Sequence, residues 1–294
     1  MKFQIVDTEG AYRRMLAAPD ATAREDIFRQ ELITPFQGLV QVFGGDGLAA
    51  FRGWGMAPEQ FASPGQARIA GAIEALSVHH AWTRAAKALE DGRAAFAAYE
   101  QRIPLDTVVF GLFVADMSAS PWARGYTGFG GIPGWIMTVY GEPDEYNLAR
   151  VEAATVHELH HNVLGALAPY DMMTVSVGQY MVLEGLAESF AAELYGARLV
   201  GPWVTEFDES RLEETRRVIG KALQVCGFDQ VRSYIFGDTV SASAGRATVG
   251  VPLYAGYAIG YRVVQAYLKA TGKSVVEATF APAEEIINKS GFFA

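Results

Sequence analysis

The chain has 294 residues, half of them apolar and 19% charged, which is the profile of a globular protein with a substantial core. Its formal net charge of −9, from 24 Lys and Arg against 33 Asp and Glu, argues against nucleic acid or an anionic membrane as the main partner. A single cysteine, Cys226, excludes an internal disulfide and any cysteine-rich metal site, and fits a reducing compartment. No secretory leader and no run of about 18 uninterrupted apolar residues can be read, so the expected setting is the cytoplasm.

In chain order, the first hundred residues read as helical. Apolar residues between Ala23 and Phe43 recur at close to helical spacing, with Pro35 expected to kink or split the run. Ser63-Pro64-Gly65 reads as a turn, and Gln66 to Leu89 and Gly92 to Tyr99 as Ala-rich helices. His79-His80 falls within the first of these, where adjacent side chains diverge and cannot both chelate one ion well. The texture changes at Pro104. Thr107 to Val114 is a β-branched and aromatic run that predicts a buried strand. A Gly-rich stretch from Gly125 to Gly134 carries no phosphate-binding pattern and reads as a hairpin or substrate-facing loop. Trp135 to Tyr140 predicts a second strand. A helix is expected from about Asn147 to Gly165, and another from Gln179 to Tyr195, stopped by Gly196. Further helices are expected over Glu209 to Val225, Val251 to Ala270 and Pro282 to Lys289. The Cys226 side chain is expected to be a small buried hydrophobe. The domain reading is a helical region, 1–103, packed on a catalytic domain, 104–294.

The pattern that carries chemistry is His157-Glu158-Leu159-His160-His161. On a helix, positions i and i+4 are offset by about 40° and lie one turn apart, so His157 and His161 can both reach one ion. Glu158, beside the first ligand, can meet a water at that ion and take its proton. A chance match in a chain of this composition is on the order of 1 in 100. His160 points about 100° away from His161 and reads as a supporting or surface residue. Catalytic zinc usually takes three protein ligands. No histidine follows His161, so a downstream third ligand must be a carboxylate. Glu184 and Glu188, i,i+4 on the next predicted helix, offer one, with the other free to accept a hydrogen bond from a ligand histidine. Asp171 and Glu193 are competing acids without the paired arrangement.

HExxH followed by Glu-x-x-x-acid on the next helix resembles the gluzincins, the thermolysin-like metallopeptidases. That resemblance implies Glu184 as the zinc ligand and Glu188 as the group contacting the first histidine, where the gluzincins carry Asp. A closer resemblance is to the YjaZ-type family of predicted zinc-dependent proteases. It is carried by His157 to Asn162, Leu183 to Glu188, Tyr254 to Tyr261 with Val264 to Tyr267, and Pro282 to Ile286, over roughly the second half of the chain. The implied fold is an α+β zincin-like domain, predominantly helical with a small sheet. The implied activity is cleavage of peptide bonds by a water that zinc binds and Glu158 activates. In gluzincins a later Tyr or His stabilises the oxyanion. With no later His, Tyr257 and then Tyr254 are the candidates. Gly256 and Gly260 would allow close approach of a neighbouring helix. Thermolysin-like enzymes bind substrate along a sheet edge, and Trp135 to Tyr140 holds the matching place in chain order. Arg262 reads as a solvated or salt-bridged side chain. Two other readings stay open: a zinc-dependent hydrolase or tailoring enzyme acting on a small amide or ester, and a metal-binding regulatory protein without turnover.

Overall fold

The computed structural model describes residues 1–44 and 46–294. It is mostly helical, with a four-stranded mixed sheet of order β1-β2-β4-β3. The strands are β1 (Lys2–Ile5), β2 (Thr107–Val114), β3 (Tyr126–Phe129) and β4 (Trp135–Tyr140). β1 and β4 pair with β2 in parallel, and β3 returns antiparallel to β4. Both strands expected from the β-branched runs lie at the predicted bounds, and the Gly-rich stretch forms the hairpin. The helical reading of the first hundred residues missed β1. Four residues with mixed exposure carry too weak an alternation to announce a strand; β2 supplies its order.

β4 is also not the sheet edge on which an extended peptide was expected to pair. It is hydrogen-bonded on both sides, so the open edge beyond it is β3, which has no second strand partner among the described residues.

Two compact units divide the chain: residues 1–94 with 103–162, and residues 95–102 with 163–294. The first holds the sheet. One face of its β2 packs Phe113 edge-on against Phe36 and Phe51, at ring separations of 5.3 and 5.8 Å. Phe36 ends the segment that Pro35 disrupts. An α-helix Ala21–Ile27 passes through a π-helical stretch, Phe28–Ile33, and a 3-10 turn, Thr34–Phe36, into a helix Gln37–Phe43. Proline's missing N–H and its ring force that change of winding. The helices Gln66–Val78 and Ala81–Ala95 are separated by His79 and His80, which are exposed in a turn, with His80 at φ 53°. The expected single helix across them therefore does not form.

The second unit is helical. Ser176 and Gln179 form a reciprocal cap at the start of Val177–Tyr195, and Gly196 ends it. A helix over Phe228–Ser243, not anticipated from the sequence, carries a break at Gly237 (φ 83°, ψ 176°). The last long helix, Ala255–Thr271, stops at Gly272 in the left-handed region. Cys226 is exposed rather than buried; its backbone bridges to Ser176 and turns the thiol outward, near the Gln224 carbonyl. No helix is long and apolar enough to cross a membrane among the described residues.

Candidate metal centre

The helix Val151–Leu167 carries the HExxH motif and runs two residues past Gly165, its expected stop. Val151, Val156, Leu159 and Val163 are fully buried along it. The histidines therefore sit in a water-poor setting. The Nε2 atoms of His157 and His161 lie 2.9 Å apart, with their rings at 89°. Two imidazole nitrogens converging so closely need either a proton between them or a shared cation. Glu184, only 3% exposed, completes the set: one donor atom from each of His157, His161 and Glu184 lies within 4.8 Å of the others. A buried carboxylate is costly without a positive partner. Two neutral nitrogens and one carboxylate oxygen form the donor set that zinc accepts in open, three-ligand sites. The residues present fit a divalent ion.

His160 is fully buried, not on the surface. Burial first, and the neighbouring His161 and His157 second, hold its imidazole well below the usual histidine range, so it is neutral.

Glu158 is buried against the hairpin. A Cβ placed on Gly128 would lie 2.2 Å from Glu158 Oε1, and one on Gly130 would lie 2.1 Å from the Glu158 carbonyl oxygen. Any side chain at either position would displace the acid, so these two glycines set how near the strand comes to the helix. The Gly141 N–H donates to the Gly125 carbonyl at 2.9 Å, continuing the β3–β4 register. By antiparallel alternation, residues 125, 127 and 129 face β4, while Tyr126 and Gly128 turn their peptide groups to the open edge.

Asn162, quoted from the sequence only as part of a motif, fastens this hairpin. The two N–H groups of its Nδ2 are shared among the carbonyls of Gly130 (2.8 Å), Ile132 (3.1 Å) and Trp135 (2.8 Å), and its Oδ1 accepts from the Gly134 N–H (2.7 Å). Asn162 is fully buried, and a buried amide must be bonded; the available signal was an Asn between the motif and the apolar Val163 and Leu164.

Glu184 is positioned by glycine contact. A Cβ on Gly185 would meet the Gly260 carbonyl oxygen at 2.2 Å, and one on Gly260 would meet the Met181 carbonyl oxygen at 2.1 Å. The helices Val177–Tyr195 and Ala255–Thr271 thus cross at backbone contact, the approach expected at Gly260. A Cβ on Gly256 would likewise lie 2.6 Å from Ile235 Cα.

Glu188 is buried. Its Oε2 accepts from the Gly201 N–H at 3.0 Å, and its Oε1 from the Trp203 indole N–H. Trp203, which no sequence signal singled out, packs against both candidate tyrosines, at 5.6 Å from Tyr254 and 5.5 Å from Tyr257. Tyr254 and Tyr257 are themselves 5.5 Å apart, and both are partly exposed. Tyr254 caps its helix at φ 55°, a strained value for tyrosine, while its N–H donates to the Phe236 carbonyl at 2.9 Å. Burial pushes its phenol up to about 12. Arg262 pairs with Glu209 and with the Ala258 carbonyl, as a salt-bridged arginine should.

Residues 81–288 match the family described as "Predicted Zn-dependent protease (DUF2268)", and the chain belongs to that family. A Bacillus subtilis (strain 168) relative, described as uncharacterized protein YjfC, is 38% identical over 282 residues, covering 92% of each chain. The likeness thus reaches well into the N-terminal hundred residues, beyond the second half that the motifs alone covered. No solved structure matches.

Proposed function

We propose that this protein is a zinc metallopeptidase of the gluzincin type, in which His157, His161 and Glu184 hold the ion. The observation that carries the reading is the buried group of two imidazoles and one carboxylate, whose helix also places Glu158 against an open strand edge. Zinc, when bound, would act as a Lewis acid toward a water and the scissile carbonyl. Glu158 takes the proton from the attacking water and delivers it to the leaving amine. The outward peptide groups of β3 around Gly128 would pair with an extended peptide beside that acid. This transfers the expected substrate edge from Trp135–Tyr140 to Tyr126–Phe129. Tyr257 or Tyr254 donates to the developing oxyanion. The raised Tyr254 phenol keeps its proton at neutral pH, as that role requires. Each carboxylate oxygen has two lone-pair positions, so Glu188, which accepts from Gly201 and Trp203, has room to orient a ligand histidine, although neither the His157 nor the His161 Nδ1 is bonded to it here. All these residues fall within 104–294, the proposed catalytic part, with 1–103 as its supporting region.

The test is metal analysis followed by cleavage of a mixed peptide library. Purified protein should carry one zinc per chain. Glu158→Gln should keep the zinc and lose roughly 10²-fold or more in cleavage. Absence of stoichiometric zinc, together with an unaltered Glu184→Ala protein, would sink the hydrolase reading. Zinc without cleavage of any library peptide would leave the small-amide or regulatory reading in its place.

A further inference from the structure

We propose that Thr138 is a positioning residue for Glu158: its hydroxyl holds the carboxylate, directly or through one buried water, over the space that Gly128 leaves open. The role in catalysis rests on the reading of Glu158 as the proton-transferring group; the contact itself does not.

Thr138 is fully buried on β4, and its Oγ1 has no hydrogen-bond partner. A buried hydroxyl gives up its hydration and normally recovers it in a bond, so an unpartnered one needs a reason. Its surroundings supply one. Thr138 stands opposite Gly128 on β3, in a pair that the alternation makes non-hydrogen-bonded, where facing positions approach most closely and share a sheet face. Residue 128 has no side chain, and the Glu158 carboxyl occupies its place. A Cβ there would lie 2.2 Å from Oε1 and 2.6 Å from Cδ and Cγ. Facing Cβ positions on neighbouring strands are about 4.5–5.5 Å apart. The Glu158 carboxylate therefore stands in the cross-strand position that a side chain opposite Thr138 would fill. One step of Thr138 χ1, or one water, spans the remaining gap. On its other side Thr138 pairs with Leu112, which offers no side-chain acceptor.

Tyr140 provides an internal comparison. It lies two residues further along the same face, and its buried hydroxyl is also unpartnered. It stands opposite Tyr126, whose ring stacks on it at 6.0 Å, where Thr138 has a glycine and a carboxylate. The same orphaned group at the same depth should therefore be silent at 140 and effective at 138.

The first measurement needs neither metal nor substrate. Urea midpoints of the metal-free protein are compared for Thr138→Val, Thr138→Ser, Glu158→Ala and the two double variants. The midpoint shifts of Thr138→Val and Glu158→Ala should fail to add, whereas those of Thr138→Ser and Glu158→Ala should add, because serine keeps the hydroxyl. The second measurement uses zinc-loaded protein and one quenched-fluorescent peptide taken from the library. Thr138→Val should lower kcat by about tenfold or more with KM little changed. Thr138→Ser and Tyr140→Phe should stay near the native rate, and all should keep their zinc. Additive shifts for the valine variant, or a serine variant as slow as valine, overturn the proposal. If Glu158→Gln cleaves like the native protein, the peptidase reading falls, and the urea cycle still decides whether the hydroxyl and the carboxylate are joined.

Discussion

The hairpin that shelters Glu158 and the helix pair that carries Glu184 solve the same problem by opposite means. In the first, directional bonds do the positioning. One side chain, Asn162, makes four hydrogen bonds to the Gly130–Trp135 loop. In the second, the Gly185–Gly260 crossing is fixed by van der Waals contact between backbones, with no side chain between them. Both devices depend on glycine. In the hairpin, glycine makes room for the Glu158 carboxylate; in the helix pair, it makes room for another backbone. A bonded anchor fails by leaving polar groups unpaired. A packed anchor fails by collision. The two regions should therefore respond differently to mutation.

The largest effect should come from the packed side. Gly185→Val would drive a branched side chain into a helix backbone that has no rotamer to yield, and should cost roughly 3 kcal/mol or more in urea unfolding. If it unfolds like the native protein, the helices can separate and backbone contact does not position Glu184.

Asn162→Ala should come next. It strands the Gly130 and Trp135 carbonyls and the Gly134 N–H, while the Ile132 carbonyl keeps the Trp135 N–H, at a cost of about 2–3 kcal/mol. Faster hydrogen exchange should be confined to the loop 130–135. A loss spread evenly over the sheet would show that Asn162 acts as general core rather than as a clasp.

A smaller effect belongs to pH. The Tyr254 phenol is raised in the folded protein to about 12 from an unfolded value of 10.0. Above pH 10 the unfolded chain loses this proton while the folded one keeps it. The contribution is thus fully present below pH 10 and is lost as pH rises toward 12. Tyr254→Phe should flatten this part of the alkaline stability profile, and a profile unchanged by the substitution would mean that the phenol is better solvated than its burial implies.

The smallest effect should come from the rim. Glu209 is largely exposed, so Arg262→Gln should cost no more than about 1 kcal/mol and less in high salt. A larger, salt-independent loss would mean that Arg262 acts through its packing over the Phe207 ring.

How much of this was legible beforehand follows from the range of each interaction. The strands at Thr107–Val114 and Trp135–Tyr140 could be read because buried parallel strands are written as continuous β-branched and aromatic runs. β1 could not, since four residues with one partner strand carry no pattern of their own. The His157–His161 pair was legible because helical periodicity alone brings i and i+4 together. The Glu184–Glu188 pair could be read for the same reason, but nothing local told which neighbours Glu188 would meet, and Trp203 went unmarked. Cys226 was misjudged because an apolar neighbourhood in sequence says little about which way one side chain turns at a bridge.

By itself, then, the sequence determined the motif helix, the helix Val177–Tyr195 and the two long strands, and it set His157 beside His161, because each is fixed by periodicity within one element. The tertiary structure alone decided which strand forms the open edge, that Gly128 admits Glu158, that Asn162 clasps the hairpin, and that Gly185 meets Gly260. Each of these is a contact between residues far apart in the chain, whose distance no local pattern records.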